Sequence, residues 1–227
     1  MARTDAALSW LLTLAAVAVA GVLVHREFFA PPSRTPTLFA DVNDPMTFVK
    51  DWRSLIKEGV LVGDSTAPVL VVQFSDLECP FCRQFHRTLQ EARKTWGNRI
   101  AYSFVHYPLP QHKLARPAAR AAECAFSEDR FDEFVTAIFA KQDSMGVKPW
   151  TSFASDVRID NVKRFSKCVS DTITIDRIER GLALGALIEL KGTPTVIVNG
   201  WRFPVTPPDT QFRRVVGDLL AGKEPQR

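Results

Sequence analysis

Two cysteines separated by a proline and a phenylalanine, Cys79-Pro80-Phe81-Cys82, stand between an apolar run and an amphipathic segment. A pair at that spacing on the first turn of a helix forms a dithiol that can close to a disulfide and reopen. Pro80 suits the first helical position, because its φ is preset and its missing N–H would be an orphan there anyway. The first sulfur then sits beside the free N–H groups of the turn, where the helix dipole favours a thiolate. The thiolate is the species that attacks disulfides. Cys79 is therefore read as the accessible nucleophile and Cys82, one turn inward, as the shielded resolving thiol. Phe81 brings no charge, which leaves the thiolate to the backbone and the dipole.

A pair of this kind is also half of a zinc site, which needs two further ligands at matching spacing. Cys124 and Cys168 stand alone in helical segments, and His86 and His112 form no recognisable partner pair. Redox use is the reading carried forward, with no metal and no cofactor expected. A second signal lies more than a hundred residues on, at Gly192-Thr193-Pro194-Thr195. A plain loop-to-strand junction and a cis X–Pro turn both fit a proline that opens a β-branched run.

The elements that must position these groups are read from hydrophobic period. Val69–Phe74 is nearly continuous apolar sequence, as in a strand covered on both faces. After the motif, Phe81, Phe85, Leu89, Ala92 and Trp96 recur on one helical stripe, and Gly97-Asn98 stops it. Ile100–Val105 is a second strand. Asp44-Pro45 reads as the start of a helix carrying Met46, Val49, Trp52, Leu55 and Ile56 through Lys57, with Gly59 ending it. Leu114–Phe126, Arg130–Lys141, Trp150–Asp156, Asn161–Val169 and Ile175–Leu190 read as helices. Thr195–Val198 is a strand, Asn199-Gly200 a type I′ hairpin turn into Trp201-Arg202-Phe203, and a last helix runs from about Asp209 to Leu220. The order predicts an α/β sheet with a helical insertion.

At 227 residues, 46% apolar and 24% charged, the composition is that of an ordinary globular chain. The net charge of +4 is scattered, without the basic runs and interleaved aromatics of a nucleic-acid binder. Residues 6–24 carry no charge, and nineteen residues at helical rise match the ~30 Å hydrocarbon core of a bilayer. Ala18-Val19-Ala20 offers a cleavage site, but Gly21-Val22-Leu23-Val24 continues the apolar run past it, which favours an uncleaved anchor. Either reading exports the rest of the chain to an oxidising compartment, where disulfides persist. The expected division is a transmembrane segment over 1–30, a spacer over 31–43 and a domain over 44–222.

The stretch Phe74-Ser75-Asp76-Leu77-Glu78-Cys79-Pro80-Phe81-Cys82 resembles the active-site segment of DsbA-like thioredoxin-fold proteins. Gly192-Thr193-Pro194-Thr195 with Val196-Ile197-Val198-Asn199-Gly200 is similar to their cis-proline loop and hairpin. Tyr107-Pro108-Leu109, His112 and the run Ala118–Ala125 resemble the opening of their helical insertion. The resemblance covers roughly residues 60–220, and the ordered set is far more specific than any one motif. It implies a thioredoxin-like fold with an insertion at about 112–190, between an active-site βαβ half and a cis-proline ββα half. It further implies exchange through a redox-active Cys79–Cys82 pair, with Pro80 and Phe81 beside it and Pro194 in cis against the sulfurs. The backbone at Thr193 and Thr195 would dock an extended substrate segment by β-pairing.

The remaining polar groups are less decided. The wider thioredoxin pattern often has a buried acid six residues before the first active cysteine, and here that position is Gln73. Asp76 and Glu78 are alternative proton acceptors, although solvent exposure is the default for such loop carboxylates. His86 is read as a surface residue, His106 as the end of a strand, and His112 as a group near a helix start. Cys124 and Cys168 are expected to pair, since an even count in an oxidising compartment favours a structural disulfide and related proteins bridge similar places.

The function expected is a membrane-tethered oxidase that gives its disulfide to exported proteins. A quinone-coupled membrane partner of the DsbB or vitamin-K-epoxide-reductase type would reoxidise it. A reductase, an isomerase, or a non-catalytic binding and assembly module on the same scaffold are the alternatives.

Overall fold

The computed structural model describes residues 44–225. The apolar segment 6–24, the cleavage alternative and the spacer 31–43 lie outside the described residues. Among those described, no helix is long and apolar enough to cross a membrane.

Six strands form one sheet: β1 (Thr47–Phe48), β2 (Val60–Val62), β3 (Val69–Ser75), β4 (Ile100–His106), β5 (Thr195–Val198) and β6 (Trp201–Arg202), in the order β1-β6-β5-β3-β4-β2. The helices are α1 (Trp52–Ile56), α2 (Pro80–Trp96), α3 (Ala115–Phe126), α4 (Phe131–Ala140), α5 (Trp150–Asp156), α6 (Val162–Ser170), α7 (Asp176–Leu187) and α8 (Asp209–Leu220). Central β3 runs parallel to β4, from Val69 opposite Ile100 to Ser75 opposite His106, and α2 is the crossover that a parallel pair requires. On its other side β3 is antiparallel to β5, with Phe74 opposite Thr195.

Every residue of β3 and β4 is buried, as their unbroken apolar sequences predict. Successive side chains go to opposite cores. Val69 and Val71 join Phe85, Leu89 and Ala92 of α2 and Phe212, Val215 and Val216 of α8. Leu70, Val72 and Phe74 join Trp52, Leu55 and Ile197 on the other face. The insertion divides between them. Ala118, Phe134, Phe153 and Phe165 from α3 to α6 extend the first core, whereas Leu184 of α7 packs on the second. Close approach there needs glycine, since a Cβ on Gly181 would stand 2.2 Å from the His106 carbonyl oxygen.

One expectation about the N-terminal part is corrected and one unread strand is added. Residues 44–57 do not form one helix. Thr47–Phe48 instead pairs with Trp201–Arg202, Phe48 packs its ring 5.2 Å from Trp201, and only Trp52–Ile56 is helical. Met46 and Val49, which share the helical spacing, thus flank a short strand instead, because the β5–β6 hairpin offers an open edge that a local period cannot reveal. Strand β2 also goes unread, being three residues that pair antiparallel with Tyr102–Phe104. The hairpin itself is as expected, with positive φ at Asn199 (45°) and Gly200 (93°), the requirement of a type I′ turn.

Candidate active site

Both halves of the site leave the same end of the sheet. β3 runs out through Ser75 into the loop that carries the cysteines, and the chain enters β5 at Thr195 from the proline loop. The Phe74–Thr195 register therefore sets the two loops side by side. Cys79 is the N-cap of α2 with extended φ and ψ (−73°, 123°), and Pro80 is the first helical residue. The Thr193–Pro194 peptide is cis. Cys79 Sγ donates to the Thr193 carbonyl at 3.3 Å, and Cys82 Sγ accepts from the Asp76 N–H at 3.4 Å. Both sulfurs are free thiols in this structure.

Cys79 is less accessible than its sequence position implies. It is 3% exposed against 0% for Cys82, because the Thr193 carbonyl lies over its sulfur, while neighbouring Phe81 is 60% exposed. The two thiols are held far apart in acidity. The Cys82 thiol donating to it is the largest influence drawing Cys79 down to about 6, helped by the Thr193 hydroxyl and the N–H groups of Cys82 and Phe81 and opposed by burial. Burial pushes Cys82 well above the ordinary thiol value, and the hydrogen bond and charge of Cys79 add to the effect. The helix N-terminus acts as the sequence implies, and the neighbouring thiol does more.

Asp76 is not solvent-facing. It is 1% exposed, and its carboxylate accepts from the N–H groups of Glu78 (2.7 Å) and Leu109 (2.8 Å) and lies 2.7 Å from His112 Nδ1. Glu78 is half-buried and accepts from the Leu114 N–H at 2.6 Å, next to the start of α3. Exposure as the default fails for both because the opening of the insertion folds over the loop and brings donors. Gln73 is buried, donates to Ser75 Oγ at 3.0 Å, and leaves its own carbonyl oxygen without a partner. His86 is also corrected. It is 2% exposed, against Phe139 and within 2.9 Å of Thr136 Oγ1, and burial takes its pKa down to about 4. It packs the helix rather than tuning the sulfurs.

Gln142 carries no signal in the sequence. From a 3-10 turn after α4, its amide donates to the carbonyls of Leu77 (2.8 Å) and Cys79 (3.0 Å). No local spacing announces a contact that spans more than sixty residues. Far from these groups, Cys124 of α3 and Cys168 of α6 are joined by a disulfide (S–S 1.94 Å). Among the described residues no cluster of three or more His, Cys, Asp or Glu side chains is arranged to hold a metal ion. A nucleophile of low pKa, a buried partner thiol and an adjacent backbone edge are the parts needed for exchange between one disulfide and another.

Comparison with known proteins agrees with this geometry. A thioredoxin family model matches residues 55–218. A Na(+)/H(+) antiporter NhaA 1 from Mycobacterium sp. (strain KMS) is 31% identical over 143 residues, which are 62% of this chain and 23% of the antiporter. An NhaA 3 from Salinispora tropica is 33% identical over 141 residues, 62% of this chain and 21% of its own length. The chain thus spans less than a quarter of the length of these curated relatives. Among solved structures, oxidised BdbD from Bacillus subtilis has a TM-score of 0.65 at 23% identity, covering 74% of this chain and 95% of that one. The thiol-disulfide exchange protein α-DsbA2 from Wolbachia pipientis gives 0.61 at 19%, covering 74% and 95%. DsbA2 from Pseudomonas aeruginosa gives 0.57 at 26%, covering 71% and 93%.

Proposed function

The chain belongs to the thioredoxin family, and from that premise we propose that it is a DsbA-type thiol–disulfide oxidoreductase whose redox centre is Cys79 and Cys82. The observation that carries this reading is an N-capping Cys79 with its pKa drawn to about 6, beside a buried Cys82 and against the Thr193–Pro194 edge.

In the oxidising direction a substrate thiolate attacks the Cys79 sulfur of the closed disulfide. Cys82 leaves as a thiolate and takes up a proton. A second substrate thiolate then attacks its own sulfur in the mixed disulfide, and Cys79 departs as a thiolate. Two electrons pass to the protein and one disulfide forms in the substrate. A low leaving-group pKa speeds that last step and stabilises the reduced form, which favours the oxidase direction.

Pro80 and Phe81 follow the nucleophile, between the two cysteines, and the backbone at Thr193 and Thr195 offers an edge to an extended segment. Asp76 and Glu78 are the candidate groups for proton transfer: the Asp76 backbone N–H donates to Cys82 Sγ, while its carboxylate is turned to Leu109 and His112. The disulfide between Cys124 and Cys168 is structural. In this reading residues 6–24 tether the domain 44–222 through the spacer 31–43 on the outer side of a membrane. Its substrates are exported proteins, and a quinone-coupled partner of the DsbB or vitamin-K-epoxide-reductase type restores the disulfide.

Cys82→Ser is the test. With the resolving thiol gone, Cys79 is expected to accumulate mixed disulfides with reduced exported proteins, visible on non-reducing gels. Their absence overturns the proposal. A reduction potential nearer the ~−120 mV of DsbA than the ~−270 mV of thioredoxin is expected for an oxidase.

A further inference from the structure

Asp76 meets both cysteines through its backbone. Its carbonyl accepts from the Cys79 N–H at 3.2 Å, and its N–H donates to Cys82 Sγ at 3.4 Å. Its side chain faces the other way, into the opening of the insertion, where His112 Nδ1 lies 2.7 Å from Oδ2. The Leu109 N–H donates to the same oxygen, and the His112 N–H donates to the Leu109 carbonyl, so one short turn fixes both ring and carboxylate. One buried residue therefore links the redox pair to an imidazole on a different element. A carboxylate accepts, so Nδ1 carries a proton, and Nε2 holds the one that decides the charge of the ring.

The acids that act on His112 are Asp76, Glu78 and Cys79, each from the loop packed against it. Burial works against the imidazolium, and these three more than offset it, leaving the imidazole pKa above its ordinary value. The Cys79 thiolate thus favours a protonated His112, and by reciprocity of linked equilibria a protonated His112 favours the thiolate. The first turn of α2 supplies no competing free cation. Its arginine, Arg83, is engaged by Asp143 at 3.2 Å.

Resting on the redox reading above, we propose that His112, held in place by Asp76, is a positioning residue for the pair: it brings to the Cys79 thiolate a positive charge that the Pro-Phe dipeptide lacks. The insertion thereby contributes to the redox poise of a motif that lies outside it. Reduction of the disulfide creates the thiolate and raises the His112 pKa, so a fraction of a proton enters His112 with the two electrons. The potential then falls more steeply with pH between the two His112 pKa values than on either side.

The test uses the whole protein. NMR titration of the His112 ring is run on the disulfide form and on the dithiol form with Cys79 ionised. A higher pKa in the dithiol form is expected, and equal values overturn the proposal. His112→Gln keeps an amide donor for Asp76 but removes the charge. Cys79, followed by thiolate absorbance at 240 nm, is expected to titrate at higher pH than in the parent. Through the constants for a two-electron couple, each pKa unit of that rise is a fall of about 30 mV in potential. An unchanged thiolate titration in a variant with the parent's circular dichroism spectrum overturns the proposal, and if the variant does not fold, the titration of the parent decides. Failure of the underlying reading looks different: the parent itself then forms no reversible Cys79–Cys82 disulfide, and both proposals fall together.

Discussion

Thr193 turns two oxygens toward the redox pair, and they suit opposite states of Cys79. The carbonyl accepts from the neutral thiol at 3.3 Å. The hydroxyl has no partner in the thiol form and helps to lower the Cys79 pKa as a donor to the thiolate. Thr193→Val keeps the shape and deletes the hydroxyl, so its two effects have opposite signs. The thiolate absorbance titration is expected to move up from about pH 6, while the disulfide form gains up to ~1 kcal/mol in urea unfolding because a buried orphan polar atom is gone. The shifted thiol also couples pH to stability. A depressed pKa adds stability that is full above the unfolded value and is lost as pH falls through the folded one. The reduced protein is therefore expected to gain in urea midpoint, relative to the oxidised protein, as pH rises from 5 to 8, and a flat difference would contradict the low Cys79 pKa. At this scale the N-cap place of Cys79 and the burial of Cys82 were legible, because a helix start and a CxxC spacing are local, whereas the cis Thr193–Pro194 bond was legible only through the family resemblance. His112 and Gln142 were not legible in these roles, since both reach the loop only after the chain has left and returned.

Among the elements, the 3-10 turn at Gln142–Ser144 does more than its length implies. The Gln142 amide serves two carbonyls of the active-site loop, and both are closed off from water around it. Gln142→Ala leaves them short of a donor, with an expected cost of about 1–3 kcal/mol in urea unfolding. It is also expected to speed hydrogen exchange at the first amides of α2, which a remote packing defect would leave unchanged. Element types were mostly readable: β3, β4, the hairpin and the helices from α2 to α8 follow from period and turn residues, with ends displaced by a few residues at most. The misread segment, residues 44–57, fails for a physical reason. Met46 and Val49 suit either period, and the choice is made by the open edge of β6, which belongs to residues about 150 positions away.

Across the molecule, the insertion is held by its own bond and by the sheet. The disulfide between Cys124 and Cys168 closes a separation of 44 residues between α3 and α6. Replacing both cysteines by serine is expected to lower stability by about 2–4 kcal/mol. The thiolate titration of Cys79 should stay in place, since the bond lies among helices whose ends, with the Gln142 turn, make the hydrogen bonds to the loop. Those ends are the two legs of the insertion. One, at Leu109–Leu114, binds Asp76 and Glu78, and the other returns through α7 to Gly192–Thr193 against Cys79. The Cys79–Cys82 site thus meets the insertion at its two junctions and at Gln142. A change of length in the rest of the insertion is therefore expected to leave the cysteine pair in place, while a single-residue deletion within either leg is expected to displace the groups that hold it.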